Sequence, residues 1–186
     1  MTRIILIYGV IGALVVGSFM LAGMQSMLPD EPNMAEGDMM TGVIVGFLTQ
    51  IVALTTVFLG IKHFRDRMLG GVIKFVPALL VGLGISAVAS LGWVFAWEIV
   101  LASGFDYSKV MVAMSTQQAT ASGLTGAALE QKIVEAQASA KQYMENPVIR
   151  LPWTFIEMFP TGVIISLISA AFLRNSRFLP ARGVAA

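Results

Sequence analysis

The sequence contains no cysteine and a single histidine, His63. The absence of thiols excludes disulfides, thiolate nucleophiles and cysteine metal ligands, and a lone imidazole excludes metal sites built from several histidines. Charge is also scarce, because charged residues make up 12% of the chain and the formal net charge is only +1. Such a chain has no field that would attract nucleic acid. We therefore expect no metal, no cofactor and no nucleic-acid partner.

The common catalytic motifs are absent as well. The sequence contains no P-loop, no GxSxG, no HExxH and no Rossmann glycine pattern. The GLGIS stretch that begins at Gly82 lies inside an apolar segment, where it is expected to serve helix packing rather than nucleotide binding. We therefore expect a protein that is not an enzyme.

Apolar residues, in contrast, make up 56% of the 186 residues, so lipid must solvate much of the protein. A membrane-spanning helix needs about 20 mainly apolar residues. Four segments meet this requirement, at about 4–24, 41–61, 75–101 and 152–173. The first is longer than the core of a signal peptide, so we expect it to remain as a span. The sequence predicts an all-α membrane protein, with residues 1–186 forming a single integral membrane domain.

The distribution of basic residues predicts how the chain is oriented. Positive residues prefer the cytoplasmic side of a membrane. The KHFRDR stretch after the second span and the RNSR stretch after the fourth are basic, whereas the segment Pro29–Asp38 contains four acids and no base. We therefore expect both termini in the cytoplasm. Within KHFRDR, Lys62, Arg65 and Arg67 are predicted to lie in a short inner loop and to contact lipid headgroups.

The segment at about 105–150, between the third and fourth spans, is predicted to be helical and to lie on the periplasmic side. A first helix is expected from Lys109 to Ala121, with Ser108 or Asp106 as its N-cap. Ser122-Gly123 is expected to end this helix before a second helix begins.

That second helix has a narrow apolar stripe. Leu129, Ile133 and Tyr143 lie at helical spacing, and Asn146-Pro147 ends the pattern. Such a stripe needs a surface to rest on. One interpretation places it against the protein's own bundle or the membrane surface. The other makes these residues contacts for a partner protein.

Two carboxylates are predicted at a similar depth near the outer interface. Glu157 is about 7–8 Å into the fourth span, and Glu98 is about 35 Å from the inner start of the third. In one interpretation each acid reaches the headgroups or pairs with Arg150 or a loop lysine. In a second, the two form a proton or cation site. In a third, they anchor a partner subunit or a ligand.

Pro160 and Gly162 give the surroundings of Glu157 a further feature. Pro160 has no N–H to bond the carbonyl of Ile156, so the helix is expected to kink there and a polar pocket could form beside Glu157. Gly162 gives room for close approach of a neighbouring helix. Prolines in membrane helices also commonly do no more than bend them.

Three sequence blocks resemble a known family. They are FLGIKHFRDRMLGG at the end of the second span, WVFAWE in the third, and YMENPVIRLPWTFIEMFPTGVIISLISA leading through the fourth. Together they resemble the bacterial four-helix membrane proteins catalogued as domain of unknown function 4199. The resemblance implies a four-helix layout in the bacterial inner membrane and no particular activity. It points, without giving them a role, to Lys62, Arg65, Asp66, Glu157, Pro160 and Gly162.

Two functional hypotheses follow from these observations. The first is a non-catalytic accessory or assembly subunit of a larger membrane complex, in contact with lipid and with another membrane protein or further copies of itself. The alternative is a small proton- or cation-coupled transport protein that works through Glu98 and Glu157.

Overall fold

The chain folds into helices only, within the residues that the structure describes. A computed structural model describes residues 1–26 and 36–181, with the side chains of residues 23–26 and 36–43 left out of that description. Of the acidic segment predicted to lie outside, Pro29–Asp38, residues 29–35 fall outside the described residues and residues 36–38 belong to the start of α2. The helices are α1 (Thr2–Ser26), α2 (Glu36–Met68), α3 (Phe75–Ala102), α4 (Tyr107–Ala121), α5 (Gly126–Glu145) and α6 (Pro147–Leu173).

Four of these helices are long and apolar enough to cross a membrane. The candidate spans are Thr2–Ala22, Ile44–Met68, Phe75–Ala102 and Pro147–Leu173. The all-α fold with four membrane-spanning helices is therefore confirmed, and the chain is a multi-pass membrane protein by the length and composition of its helices. The rise of an α-helix, about 1.5 Å per residue, makes each of these segments long enough for a bilayer core of about 30 Å.

The second span is longer than the sequence predicted, because α2 continues through KHFRDR. It ends at Met68, and the next residues turn at Gly70 and Gly71, which have φ angles of 65° and 91°. The N–H of Gly71 donates to the carbonyl of Arg65 at 2.9 Å. Glycine adopts this left-handed conformation without strain, so the pair ends the helix. The predicted inner loop at Lys62–Arg67 is therefore wrong, and these residues form the last turns of α2.

The structure divides into two compact units. One comprises Met1–Trp97 with Phe155–Ala186, and the other comprises Glu98–Thr154. In the first unit, α3 and α6 pack through small residues. A Cβ on Gly82 would lie 2.8 Å from Ser166 Cβ, and one on Gly162 would lie 2.6 Å from Ser86 Cβ. Only a missing side chain allows backbones this close, which is the usual way helices associate in lipid.

Helix α1 packs in the same way within the first unit. A Cβ on Gly9 would lie 2.5 Å from Val88 Cβ, and one on Gly12 would lie 3.3 Å from Ala89 Cβ. Gly12 also approaches Thr56 of α2, whose hydroxyl would be 2.9 Å from such a Cβ. Glycines on one side of α1 therefore set its distance from α2 and α3.

In the second unit, α4 and α5 form an antiparallel helical hairpin. Asp106 caps α4 by accepting a hydrogen bond from the N–H of Lys109 at 3.3 Å, and Gly123 turns the chain with φ 83°. The rings of Tyr107, at the start of α4, and Tyr143, near the end of α5, have centroids 5.4 Å apart. That contact requires the two helices to run in opposite directions.

Candidate functional site

The Glu98 carboxylate, in the second unit, is bound by two nitrogens along one edge of the Arg150 guanidinium. Arg150 Nε donates to Oε1 at 2.7 Å, and Nη2 donates to Oε2 at 2.7 Å. The Arg150 side chain is 10% exposed and that of Glu98 is 33% exposed. A forked guanidinium matches the two oxygens of a carboxylate, so the pair has a fixed geometry as well as opposite charges. Arg150 is one of the partners that the sequence allowed for Glu98, and the structure places the two side chains together.

Arg150 also joins the end of α5 to the start of α6. Its Nη1 donates to the carbonyl of Met144 at 2.5 Å, near the C-terminus of α5. The carbonyl groups of a last helical turn lack partners within the helix, and a cation satisfies them and the helix dipole together. Next to it, the hydroxyls of Tyr143 and Thr154 are 3.0 Å apart, and Thr154 donates to the carbonyl of Arg150. The Arg150 cluster therefore holds the ends of three helices in this unit.

The Glu157 carboxylate, in the first unit, has a very different setting. It lies on the exposed side of α6, and Trp93 Nε1 of α3 donates to its Oε2 over a long distance of 3.4 Å. No base among the described residues forms an ion pair with it. The two carboxylates that the sequence placed at similar depth therefore have different partners, a guanidinium for Glu98 and an indole for Glu157.

Exposed positions of α6 follow a helical repeat on the side that includes Glu157. The other members of this exposed face are apolar. We call this surface the Glu157 face, and it consists of Ile156, Glu157, Pro160, Ile164, Leu167, Ile168 and Phe172. The opposite side of the helix is buried, with Gly162, Ser166 and Ala170 turned to the interior. Glu157 is thus the single charged residue on an otherwise apolar face.

Pro160 and Gly162, the predicted neighbours of Glu157, occupy opposite sides of the helix. Pro160 is exposed and belongs to the Glu157 face, whereas Gly162 is buried against Ser86 of α3. Gly162 therefore serves close helix packing, as predicted, and does not line a pocket beside Glu157.

Arg65, predicted to contact lipid headgroups, is instead fully buried. Its guanidinium donates to the carbonyls of Phe178 at 2.9 Å and Leu179 at 2.5 Å, and Nε donates to Asp66 at 2.6 Å. The side chain has 0% exposure, so no headgroup reaches it. The predicted headgroup contact of Arg65 is corrected by this burial, and the residue ties the end of α2 to the chain that follows α6.

The other two predicted headgroup contacts remain nearer to solvent. Lys62 is half-buried and pairs with Asp66, and Arg67 is exposed. On the same turn of α2, His63 is exposed and its Nδ1 lies 3.0 Å from the hydroxyl of Tyr8 in α1. Arg67 is the member of the set whose position fits a headgroup contact best.

The apolar stripe of α5 is used within the hairpin. Tyr143 is buried, and Leu129 and Ile133 are half-buried, on the side of α5 where Ala136 and Ala140 are also buried. The ring contact of Tyr143 with Tyr107 shows that this side faces α4. The structure therefore supplies an internal partner for residues that the sequence also allowed as contacts for another protein.

Two buried polar atoms were not anticipated from the sequence. Gln50 Oε1 on α2 and Ser90 Oγ on α3 have no hydrogen-bond partner in the part of the chain that the structure describes. The sequence gives no signal for Ser90, because serine is also a common small residue in packed membrane helices. Gln50 does carry a signal in the sequence, because it is an amide side chain inside an uncharged apolar run.

The described residues form no recognisable metal site. Among residues 1–26 and 36–181, no group of three or more histidine, cysteine or carboxylate side chains is placed to hold an ion. The arrangement instead offers one internally neutralised carboxylate and one carboxylate displayed on an apolar helix face.

Comparison with known proteins identifies the family. A family model described as "Protein of unknown function (DUF4199)" matches residues 6–175, which is most of the chain. The chain therefore belongs to this family, and the resemblance noted in its sequence is confirmed. No curated protein and no solved structure matches it.

Proposed function

We propose that this member of the family is a non-catalytic accessory or assembly subunit, which associates with another membrane protein through the Glu157 face of α6. The supporting observation is the exposed Glu157 carboxylate among apolar side chains on that face. In lipid, an ionisable group is expensive unless it finds a partner, and such residues usually face protein or water. A neighbouring protein on this face would supply that partner.

The Glu98–Arg150 pair supports the same proposal by elimination. Both oxygens of Glu98 are bound by Arg150, and the guanidinium also bonds Met144. The Glu98 carboxylate, paired in this way, stabilises helix ends and is not free to bind a transported cation. Of the two candidate carboxylates, only Glu157 remains for an interaction outside the chain.

The transport hypothesis receives less support from the same geometry. It requires the two carboxyl groups to share an interior site, whereas Glu157 is exposed and Glu98 is neutralised by Arg150. Its test is ion or proton flux through the protein in vesicles. Transport through Glu157 would be lost in Glu157→Gln while folding persists, and an equal flux in both proteins would eliminate the hypothesis.

The cellular setting is part of the proposal. We place the protein in the bacterial inner membrane with both termini in the cytoplasm and the α4–α5 hairpin in the periplasm. This orientation puts Arg67, Arg174 and Arg177 on the cytoplasmic side, as the preference for positive residues there requires. Reporter fusions at Ser122 and after α6 would test it, with opposite sides expected for the two positions.

Photo-crosslinking from the helix surface tests the accessory role. A photoreactive amino acid at Ile164, which is 57% exposed on the Glu157 face, should crosslink to one distinct membrane protein in native membranes. Leu14 of α1 and Val52 of α2 are similarly exposed and serve as matched controls on other helices. These two positions should crosslink to lipid or to nothing specific.

The outcomes separate the accessory role from its competitors. A fixed stoichiometry between the chain and the crosslinked protein supports the proposal. Crosslinks from Ile164 to a second copy of the chain would replace the accessory role by self-association. Equal, non-specific labelling from all three positions would contradict a docking face on α6.

A further inference from the structure

The Glu157 carboxylate raises the question of which chemical group covers it. Only Trp93 donates to it among the described residues, and this hydrogen bond reaches Oε2 at 3.4 Å. An indole N–H is a single neutral donor, so it does not balance the negative charge. The group that covers the carboxylate should therefore be cationic, because an opposite charge is what repays the cost of taking an acid into an apolar setting.

We propose that the partner of the Glu157 face is a transmembrane helix with one lysine or arginine at the depth of Glu157. This inference rests on the proposed accessory role and names the chemistry of the partner. The rest of the face consists of aliphatic and aromatic side chains, which suit a second apolar helix. Charge complementarity at one point would then fix the depth and rotation of the partner helix.

The position of Glu157 favours a protein cation over a lipid headgroup. Glu157 comes one helical turn after Trp153 in the sequence, and exposed tryptophan is typical of the headgroup level. The ammonium of a lipid headgroup lies at or outside that level. A lysine or arginine on a spanning helix reaches the deeper position from its own backbone, and its long apolar stem packs against the aliphatic residues of the face.

The same geometry explains why Trp93 does not remove the need for a partner. Its hydrogen bond to the carboxylate is weak, because the donor–acceptor distance is long. The carboxylate therefore keeps most of its capacity to accept hydrogen bonds from a cation.

A synthetic helix tests this chemistry without knowledge of the natural partner. The full-length chain is placed in phosphatidylcholine vesicles with a labelled leucine–alanine spanning peptide that has one arginine at the depth of Glu157. Energy transfer measures association, and the same peptide with leucine at that position is the control. A charge-assisted pair should favour the arginine peptide about tenfold.

Variants of the chain decide whether Glu157 is responsible. Glu157→Gln should abolish the preference for the arginine peptide, and Glu157→Asp should keep part of it. Ile156→Gln adds a polar group on the same face and should leave the preference intact. Thermal unfolding of each variant should stay near that of the parent, since Glu157 is exposed and makes one weak hydrogen bond.

Several results would overturn the inference. If the two peptides associate equally, or if the preference for the arginine peptide survives Glu157→Gln, the partner of the Glu157 face is not a cationic helix. If vesicles containing phosphatidylethanolamine cancel the preference in the parent protein, the lipid ammonium is the natural cover and the inference is wrong. A specific crosslink from Ile164 in native membranes that persists in Glu157→Gln would retain the accessory role and reject its cationic partner.

Discussion

Arg150 binds both oxygens of Glu98, with Nε and Nη2 each 2.7 Å from the carboxylate. The same guanidinium bonds the carbonyl of Met144 at the end of α5. One side chain at the start of α6 therefore fixes the end of α3 and the end of α5. The charge of Arg150 therefore stabilises the ends of helices within this unit.

Loss of this guanidinium should lower the stability of the protein. In Arg150→Met, the Glu98 carboxylate and the Met144 carbonyl lose their donors, which should cost about 1–3 kcal/mol. Thermal unfolding in mild detergent measures the change. Arg67→Met is the matched control, because Arg67 is exposed and should be replaced at almost no cost. Equal melting temperatures for the two variants would show that the Arg150 cluster contributes nothing.

Arg65 should control access to the chain that follows α6. In Arg65→Ala, the carbonyls of Phe178 and Leu179 lose the guanidinium, so this segment should detach from α2. Trypsin should then cleave after Arg174 and Arg177 faster than in the parent protein. Arg67→Ala removes a neighbouring exposed arginine and should not change the rate. Unchanged cleavage in Arg65→Ala would contradict a restraining role.

Two serines of α3 should respond to the same substitution in opposite ways. Ser86 Oγ lies 3.2 Å from Ser166 Oγ on α6, so Ser86→Ala loses an interhelical hydrogen bond worth about 0.6 kcal/mol in membrane proteins. Ser90 Oγ is buried without a partner in the described structure, so Ser90→Ala should leave stability unchanged or raise it. Denaturation in mixed detergent micelles compares them. A larger loss for Ser90→Ala than for Ser86→Ala would be incompatible with these contacts.

Helix α1 should be displaced by one methyl group at Gly9. The added carbon would lie 2.5 Å from Val88 Cβ and 3.2 Å from the Ile85 carbonyl oxygen, and backbone atoms cannot move aside easily. Gly9→Ala should therefore cost about 1–3 kcal/mol. Gly46→Ala is the control, because nothing lies within 4 Å of a Cβ there. Their unfolding temperatures should differ accordingly, and equal values would rule out close packing at Gly9.

The number of spans and the end of α4 at Ala121 could be predicted because local signals determine them, whereas α4 begins at Tyr107, two residues before the predicted start. Long uncharged apolar runs specify membrane helices, and a carboxylate three residues before a backbone N–H specifies a cap, as at Asp106. The start of α6 was predicted too late. Asn146-Pro147 ends α5, but Asn146 also caps the next helix by accepting from Val148 N at 3.1 Å, with proline at the first helical position.

The partners of the charged residues could not be predicted, because they depend on the rotation and spacing of helices. Nothing in KHFRDR distinguishes Arg65, which is buried, from Arg67, which is exposed. Their difference arises from the chain after α6, whose carbonyls bind only one of them. Likewise, an apolar pattern as uniform as that of α6 does not show which side faces lipid, so the exposure of Glu157 emerges only from the structure.

The central claim, association with another membrane protein through α6, is tested most directly by the mass of the complex in native membranes. The chain is extracted in polymer discs and weighed intact by mass spectrometry. The account predicts the chain together with one distinct membrane protein at fixed stoichiometry, with that protein lost when Ile164 is replaced by a bulky tryptophan on the Glu157 face. A mass equal to the chain alone, or to whole multiples of it, would contradict the account.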